Sequence, residues 1–255
     1  MARTSTAAPG SVVIVGATSV IATETARIWV ARGTRRFHLI GRDQAKLDAL
    51  AADLTARAGG VEVTLHALDL TDTDAIVAEV VSVVETLPPD AVLIAHGVMH
   101  AQQRMQRDLS LVADELLVSG VSPVLWLEAF VDRLEELGSR CTVAVIGSVA
   151  GDRGRQGNYL YGATKALIET TVEGMQNRLA KVGRIAVVLV KPGPTRTPMT
   201  VHTAGGNFAT ATSVAADIAD GIAAHRPVIY SPGRWRWIML AVRVVPRSLF
   251  NRTDL

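Results

Sequence analysis

The sequence predicts an α/β fold in which one doubly wound parallel sheet carries helices on both faces. Two observations predict it. Short β-branched runs recur at residues 11–15, 37–40, 61–67, 91–95, 142–146 and 185–190, with helical patterns between them. The first run passes directly into Gly16-Ala17-Thr18-Ser19-Val20-Ile21-Ala22, a loop that opens a helix. Strands that alternate with helices run parallel, because each crossover returns the chain to the same edge of the sheet. An α/β barrel would need eight strands and gives no reason for the glycine loop. The arrangement is therefore of the Rossmann type.

The first helix is expected over residues 21–32 and stops at Gly33; the second, over 44–58, stops at Gly59-Gly60. Glycine accepts the left-handed conformation that commonly follows a helix end. With 255 residues, 49% of them hydrophobic, the chain can bury one large core. A net charge of +2 speaks against general nucleic-acid binding. The lone Cys141 cannot form an internal disulfide and stands in an apolar run, which fits a reducing, cytoplasmic setting. No pattern of metal ligands is expected. No stretch reaches about 18 uninterrupted apolar residues, so the chain reads as soluble or at most surface-attached.

The loop after the first strand is where a dinucleotide fold sets a pyrophosphate against helix-terminal N–H groups, which makes Gly16, Thr18, Ser19, Val20 and Ile21 candidate cofactor contacts. A strict glycine fingerprint would place Gly at Val20 and Ala22, and a plain strand-to-helix turn remains the competing reading. After the second strand, Gly41-Arg42 occupies the place where NAD-specific enzymes carry an acid for the ribose 2′-hydroxyl. Arg42 instead offers a charged planar fork suited to a 2′-phosphate, so NADP(H) is the expected cofactor. An exposed arginine paired with Asp43 is the alternative. Asp69-Leu70 and Ala95-His96-Gly97 follow strands three and four at the same edge, with Asp69 a candidate for the adenine amino group or for simple helix capping. His96 reads as a wall residue.

The most informative spacing joins Ser148, at the end of strand five, to Tyr161-Gly-Ala-Thr-Lys165. Residues i and i+4 share a helix face, so Lys165 can stand beside the Tyr161 phenol and is expected to lower its pKa toward neutrality. Tyr161 then exchanges a proton with a carbonyl oxygen that Ser148 holds. Tyr159 has Ala163 four residues on and reads as a pocket or packing residue. Strand six ends in Lys191-Pro192-Gly193-Pro194-Thr195-Arg196-Thr197-Pro198, a rigid turn whose Pro192, Gly193, Thr195 and Thr197 are candidates to grip a nicotinamide carboxamide.

From the glycine loop to this turn the chain resembles the short-chain dehydrogenase/reductase family. That resemblance assigns the active-site serine to Ser148, the tyrosine to Tyr161, the lysine to Lys165 and a nicotinamide-contacting threonine to Thr197. The family's catalytic asparagine aligns with Ser119, a departure that bears on the water-mediated proton relay. A narrower likeness, in Ala95-His96-Gly97, Ser148 through Tyr161, Lys191-Pro-Gly and Trp235-Arg-Trp-Ile-Met, is to decaprenylphosphoryl-2-keto-ribose reductases. It implies a keto-sugar or keto-nucleoside substrate, and Ser119 and Val20 point to a relative repurposed for another ketone. Homodimers or homotetramers are expected. A non-catalytic module that senses NADP, a reductase of another secondary-metabolite ketone and an enzyme oxidising an alcohol are the alternatives; the first needs Arg42 but not the Ser148, Tyr161 and Lys165 set.

Residues 1–10 read as a flexible leader, 11–232 as the NADP-binding catalytic domain and 233–255 as a basic amphipathic segment. From His225 onward six arginines face one acid, Asp254. Trp235, Ile238, Met239, Val242, Val245 and Leu249 recur at helical steps with a break at Pro246. A lid over the substrate, a subunit interface and a peripheral membrane anchor at the inner face are the three readings of this segment.

Overall fold

The computed structural model describes residues 8–200 and 208–253. Most of the leader and the terminal Asp254 lie outside them. Seven parallel strands form one sheet: β1 (Ser11–Val15), β2 (Arg36–Gly41), β3 (Glu62–Ala67), β4 (Ala91–Ile94), β5 (Cys141–Ile146), β6 (Ile185–Pro192) and β7 (Val228–Ser231). Their order is β3-β2-β1-β4-β5-β6-β7, so the winding reverses between β1 and β4. The six anticipated runs are six of these strands. The seventh, β7, pairs along the end of β6 and lies between Pro227 and Pro232, residues that mark a loop in a sequence.

Successive side chains of a strand point to opposite faces, and the core divides accordingly. Val13, Val15, Val92, Ile94, Val143 and Val145 pack beneath α3 (Thr73–Thr86), α6 (Ser122–Glu136) and α7 (Tyr159–Leu179). Val12, Ile14, Leu93, Ala144, Val188 and Val190 pack beneath α1 (Val20–Ala31), α2 (Gln44–Arg57) and α8 (Ala211–Ala223). The first two helices end as expected, followed by Gly33 at φ 109° and Gly60 at φ 73°. A short α4 (Gln102–Met105) and α5 (Leu109–Leu116) lead through a wide π-type turn, Leu117–Val121, into α6. The helical run Leu109–Glu136 is long and apolar enough to span a bilayer. Trp126, Leu127, Phe130, Val131 and Leu134 of its second half are buried against the sheet, while Leu109, Leu116, Leu117 and Val121 of its first half are exposed.

At the reversal the chain comes unusually close to itself. Gly16 has φ 74°, and a Cβ there would stand 2.6 Å from the backbone nitrogen of His96. Only glycine lets the β1 loop turn this tightly against the end of β4. This close approach shapes the floor of the cavity described next.

The C-terminal segment folds as α9 (Trp235–Val244) and α10 (Arg247–Phe250), with Pro246 between them. α9 packs against the turn Val149–Asp152 and β7. Met239 is buried, and Trp235, Val242 and Val245 are half-buried, so these four form the packed side. Ile238 and Leu249, assigned to the same stripe from their spacing, are exposed. Residue 238 stands about 60° from the centre of the packed side, and 249 lies beyond the Pro246 break.

Candidate active site

A cavity of about 500 Å³ opens at the carboxyl edge of the sheet. Its walls come from the β1 loop, the ends of β4 and β5, the start of α7 and the turn after β6. Of the residues singled out in the sequence, Thr18, Ser19, Val20, Ile21, Ala95, His96, Gly97, Ser148, Tyr161, Lys165, Pro192, Gly193, Thr195 and Thr197 line it. Gly16 lies beneath the floor, and Arg42, Asp69, Leu70 and Ser119 stand outside the lining.

At the β1 end, the Ser19 hydroxyl caps α1 by accepting the Ala22 N–H at 3.3 Å. The His96 Nε2–H donates to Ser122 Oγ at 2.8 Å, because the Ser122 hydroxyl itself donates to the Leu70 carbonyl at 2.5 Å. That fixes the tautomer and leaves His96 Nδ1 as a buried acceptor with no partner among the described residues. Burial, with Lys165 and Arg42 adding to it, pushes the His96 pKa down to about 3, so the ring is neutral and is a wall, not a base. A helix N-terminus, an orphaned buried acceptor and a lining without carboxylates fit an anionic dinucleotide.

Arg42 is exposed, and Asp43 is not its partner. The Asp43 carboxylate caps α2 through the Lys46 N–H at 3.1 Å and pairs with the Lys46 ammonium at 3.1 Å. Among the described residues no carboxylate lies within ion-pairing distance of Arg42. Asp69 accepts the N–H and hydroxyl of Thr71, which hold its carboxyl below the usual range, with Arg42 a lesser contributor. Capping of α3 falls to Asp72.

The chemical group sits where β5 and α7 meet. Ser148 Oγ accepts the Ala150 N–H at 3.1 Å, and its hydroxyl acts on the Tyr161 phenol in the sense that lowers the phenol's pKa. Lys165 Nζ donates to the Ile146 carbonyl at 3.2 Å and approaches the Ser119 carbonyl at 3.5 Å. It stands 5.5 Å from the centre of the Tyr161 ring. The expected lowering of the phenol pKa is not found. Burial pushes Tyr161 up to about 12 against the opposing Ser148 hydrogen bond, and burial also pulls Lys165 down to about 8. The ammonium is directed at two carbonyls, and its own charge is lost as pH rises through about 8.

Ser119 occupies the π-type turn, fully buried. Its hydroxyl donates to the Val98 carbonyl and accepts the Val98 N–H, both at 2.8 Å. Its side chain therefore ties the β4 loop to the helix, and its carbonyl is what faces Lys165. A π-type turn disturbs the regular helical pairing and so brings a carbonyl to this position. Tyr159 is exposed and outside the cavity lining, because two residues of helix turn it about 200° from Tyr161.

In the turn after β6, Thr195 Oγ1 donates to the Gly193 carbonyl at 2.9 Å. Thr200, absent from the sequence reading, clamps this turn by donating to the Thr195 carbonyl at 2.6 Å and accepting the Thr197 N–H at 3.2 Å. A Cβ on Gly193 would overlap the Trp235 indole, so this glycine is what lets α9 seat directly behind the turn. Sequence reasoning also missed Val98, Met99, Arg155, Asn158, Met199 and Phe208 in the lining. Arg155 and Asn158 stand inside the Ser148–Tyr161 stretch without an assigned role, the others belong to no spaced motif, and loop packing brings them together.

Residues 11–206 match a family described as short chain dehydrogenase. An uncharacterised oxidoreductase from the mprA 5′ region of Streptomyces coelicolor is 32% identical, over 99% of this chain and 99% of the relative. A short chain dehydrogenase from Burkholderia cenocepacia in complex with NADP superposes with TM-score 0.80 at 16% identity, covering 97% of this chain and 98% of that one. A short chain dehydrogenase/reductase from Burkholderia phymatum in complex with NAD also gives 0.80, at 18% identity and 96% of each chain. The fold is shared by both, one holding NADP and the other NAD.

The pKa of Tyr161 is open to direct titration. Phenolate absorbance of the unmodified protein minus that of Tyr161→Phe is expected to stay flat below about pH 10 in the absence of cofactor. A difference signal with a midpoint near neutrality would contradict the burial argument.

Proposed function

The chain belongs to the short-chain dehydrogenase/reductase family and is an oxidoreductase of it; on that premise we propose that it reduces a carbonyl with NADPH, Tyr161 acting as proton donor. The observation that carries this reading is the meeting of Ser148, Tyr161 and Lys165 at one end of a cavity whose other end is a helix N-terminus. A bound nicotinamide supplies the hydride. Ser148 orients the carbonyl oxygen through its hydroxyl, and Tyr161 delivers the phenolic proton to that oxygen as negative charge develops. Burial keeps Tyr161 protonated, which suits reduction over alcohol oxidation. Lys165 adds positive charge below about pH 8, and the Ser119 carbonyl helps hold it. For the substrate we propose a keto-sugar or keto-nucleoside, carried by the motif resemblance. A cofactor-sensing module would have no use for the three residues together.

NADP over NAD rests on Arg42, exposed at the end of β2 without an acidic partner among the described residues. We assign residues 11–232 to the catalytic domain and 233–255 to a C-terminal segment whose α9 packs on it. A homodimer or homotetramer is supported by the exposed Leu109, Leu116, Leu117, Val121 and Leu167, apolar side chains clustered around α5 and α7. A cytoplasmic setting is supported by the free, buried Cys141.

For the C-terminal segment we propose peripheral contact with an anionic membrane surface. Trp237, Leu240 and Val244 are 67%, 54% and 72% exposed and, at i, i+3 and i+7, share the face of α9 opposite its packed side. Arg236 flanks that face, Arg247 and Arg252 follow it, and residues 226–253 contain no acid. Pairing with a second copy would set these arginines against their own kind, whereas anionic headgroups complement them.

Three outcomes test these proposals. Tyr161→Phe should cut NADPH-dependent carbonyl reduction by about 10²-fold or more while cofactor binding persists, with Tyr159→Phe near unmodified rates; equal losses would reassign the donor. By fluorescence titration NADPH should bind about tenfold or more tighter than NADH, and Arg42→Ala should remove most of the difference. Equal affinities in the unmodified protein would sink the NADP assignment. The full chain should co-sediment with phosphatidylglycerol vesicles at low salt and release at high salt, and a Trp237→Ser, Leu240→Ser, Val244→Ser variant should not bind. Failure to bind, or a change of oligomeric mass in that variant, would overturn the membrane assignment.

A further inference from the structure

We propose that Arg155 is the counter-ion for an anionic group on the substrate, so that the carbonyl compound reduced here carries a phosphate, sulfonate or carboxylate. The inference rests on the carbonyl-reducing reading and adds the substrate's charge to it.

Among the described residues, the cavity lining contains two side chains that carry positive charge near neutrality, Arg155 and Lys165, and no aspartate or glutamate. Lys165 is accounted for by the carbonyls of Ile146 and Ser119. Arg155 is not. Among the described residues its guanidinium makes no hydrogen bond or close ion pair, and its Nε is buried without a partner. Burial pushes its pKa below the ordinary value, and the one charge opposing that effect is Asp152. That carboxylate is already paired with Lys191 at 3.0 Å.

A half-buried guanidinium whose Nε has given up water without gaining a partner is a costly arrangement. Its planar fork of donors matches the oxygens of a phosphate, sulfonate or carboxylate, which makes a ligand of that class the natural compensation. Position separates this demand from the cofactor's phosphates. Arg155 lies in the connection between Ser148 and Tyr161, after β5, whereas the helix N-terminus suited to a pyrophosphate follows β1, two strands away with β4 between. Asn158, from the same connection, lines the cavity beside it and offers a further amide.

The test uses the full chain saturated with NADP⁺, titrated calorimetrically with dihydroxyacetone phosphate and with dihydroxyacetone, a pair that differs in the anionic group. The phosphate ester is expected to bind about tenfold or more tightly. Arg155→Gln should bring the two within about twofold, and Arg155→Lys, which keeps the charge but not the fork, should restore part of the preference. NADPH affinity should be unchanged in both variants. Parity of the two compounds in the unmodified protein, undetectable binding of the phosphate ester, a preference that survives Arg155→Gln, or a loss confined to NADPH would each overturn the proposal. The titration needs no turnover. Preferential binding of the anionic compound without its reduction would therefore count against the carbonyl-reducing reading alone.

Discussion

The buried Lys191 ammonium holds the site together. At the end of β6 and 1% exposed, it pairs with Asp152 at 3.0 Å and with Glu169 at 2.6 Å. Burial works against its charge, but the bonds to Glu169 and Asp152 outweigh it and hold its pKa above the ordinary value. Asp152 belongs to the turn that begins one residue after Ser148, and Glu169 lies two helical turns beyond Tyr161 on α7. One cation thus joins the segments that carry the hydroxyl, the phenol and the turn after β6. Breaking such a buried set by removing one member costs about 3–5 kcal/mol, because the remaining charges stay buried and unpaired.

The same cluster explains how the C-terminal segment is attached. Arg243 of α9 approaches Asp152 at 3.6 Å and Glu169 at 3.9 Å. Arg153, the next residue after Asp152, donates to the carbonyls of Val242 and Val245 at 2.5 and 2.6 Å and stacks on the Phe250 ring at 3.8 Å. Its guanidinium satisfies carbonyls left open at the end of α9, where a cation is also favoured by the helix dipole. At the other end of α9, Trp235 rests on Gly193. The segment is therefore fastened to both the Ser148 connection and the turn after β6.

Charge is distributed around the cavity with a clear sense. Carboxylates are kept behind the walls, neutralised by Lys191 or buried like Glu115, whose pKa burial raises. Cations and neutral donors face inward. In a site screened from water such an arrangement favours anionic ligands and developing negative charge on a carbonyl oxygen. The Tyr161 phenol, kept protonated by burial, opens onto the same lining.

The sequence by itself determined the sheet and the place of the candidate site. Six strands were legible because parallel strands buried on both faces read as continuous β-branched runs, and the pairing of Tyr161 with Lys165 was legible because a helix repeats its face every four residues. Both are local periodicities. What only the tertiary structure decided depends on which neighbours each residue meets. Burial set the protonation of Tyr161, against the expectation drawn from Lys165 alone, and backbone groups of Val98 claimed the Ser119 hydroxyl. Packing turned the Trp235, Met239 and Val242 side of α9 inward and left Trp237, Leu240 and Val244 in solvent. Loop packing alone brought Arg155 to the cavity. Desolvation and partner choice are properties of the assembled surroundings, and spacing along a chain carries no measure of either.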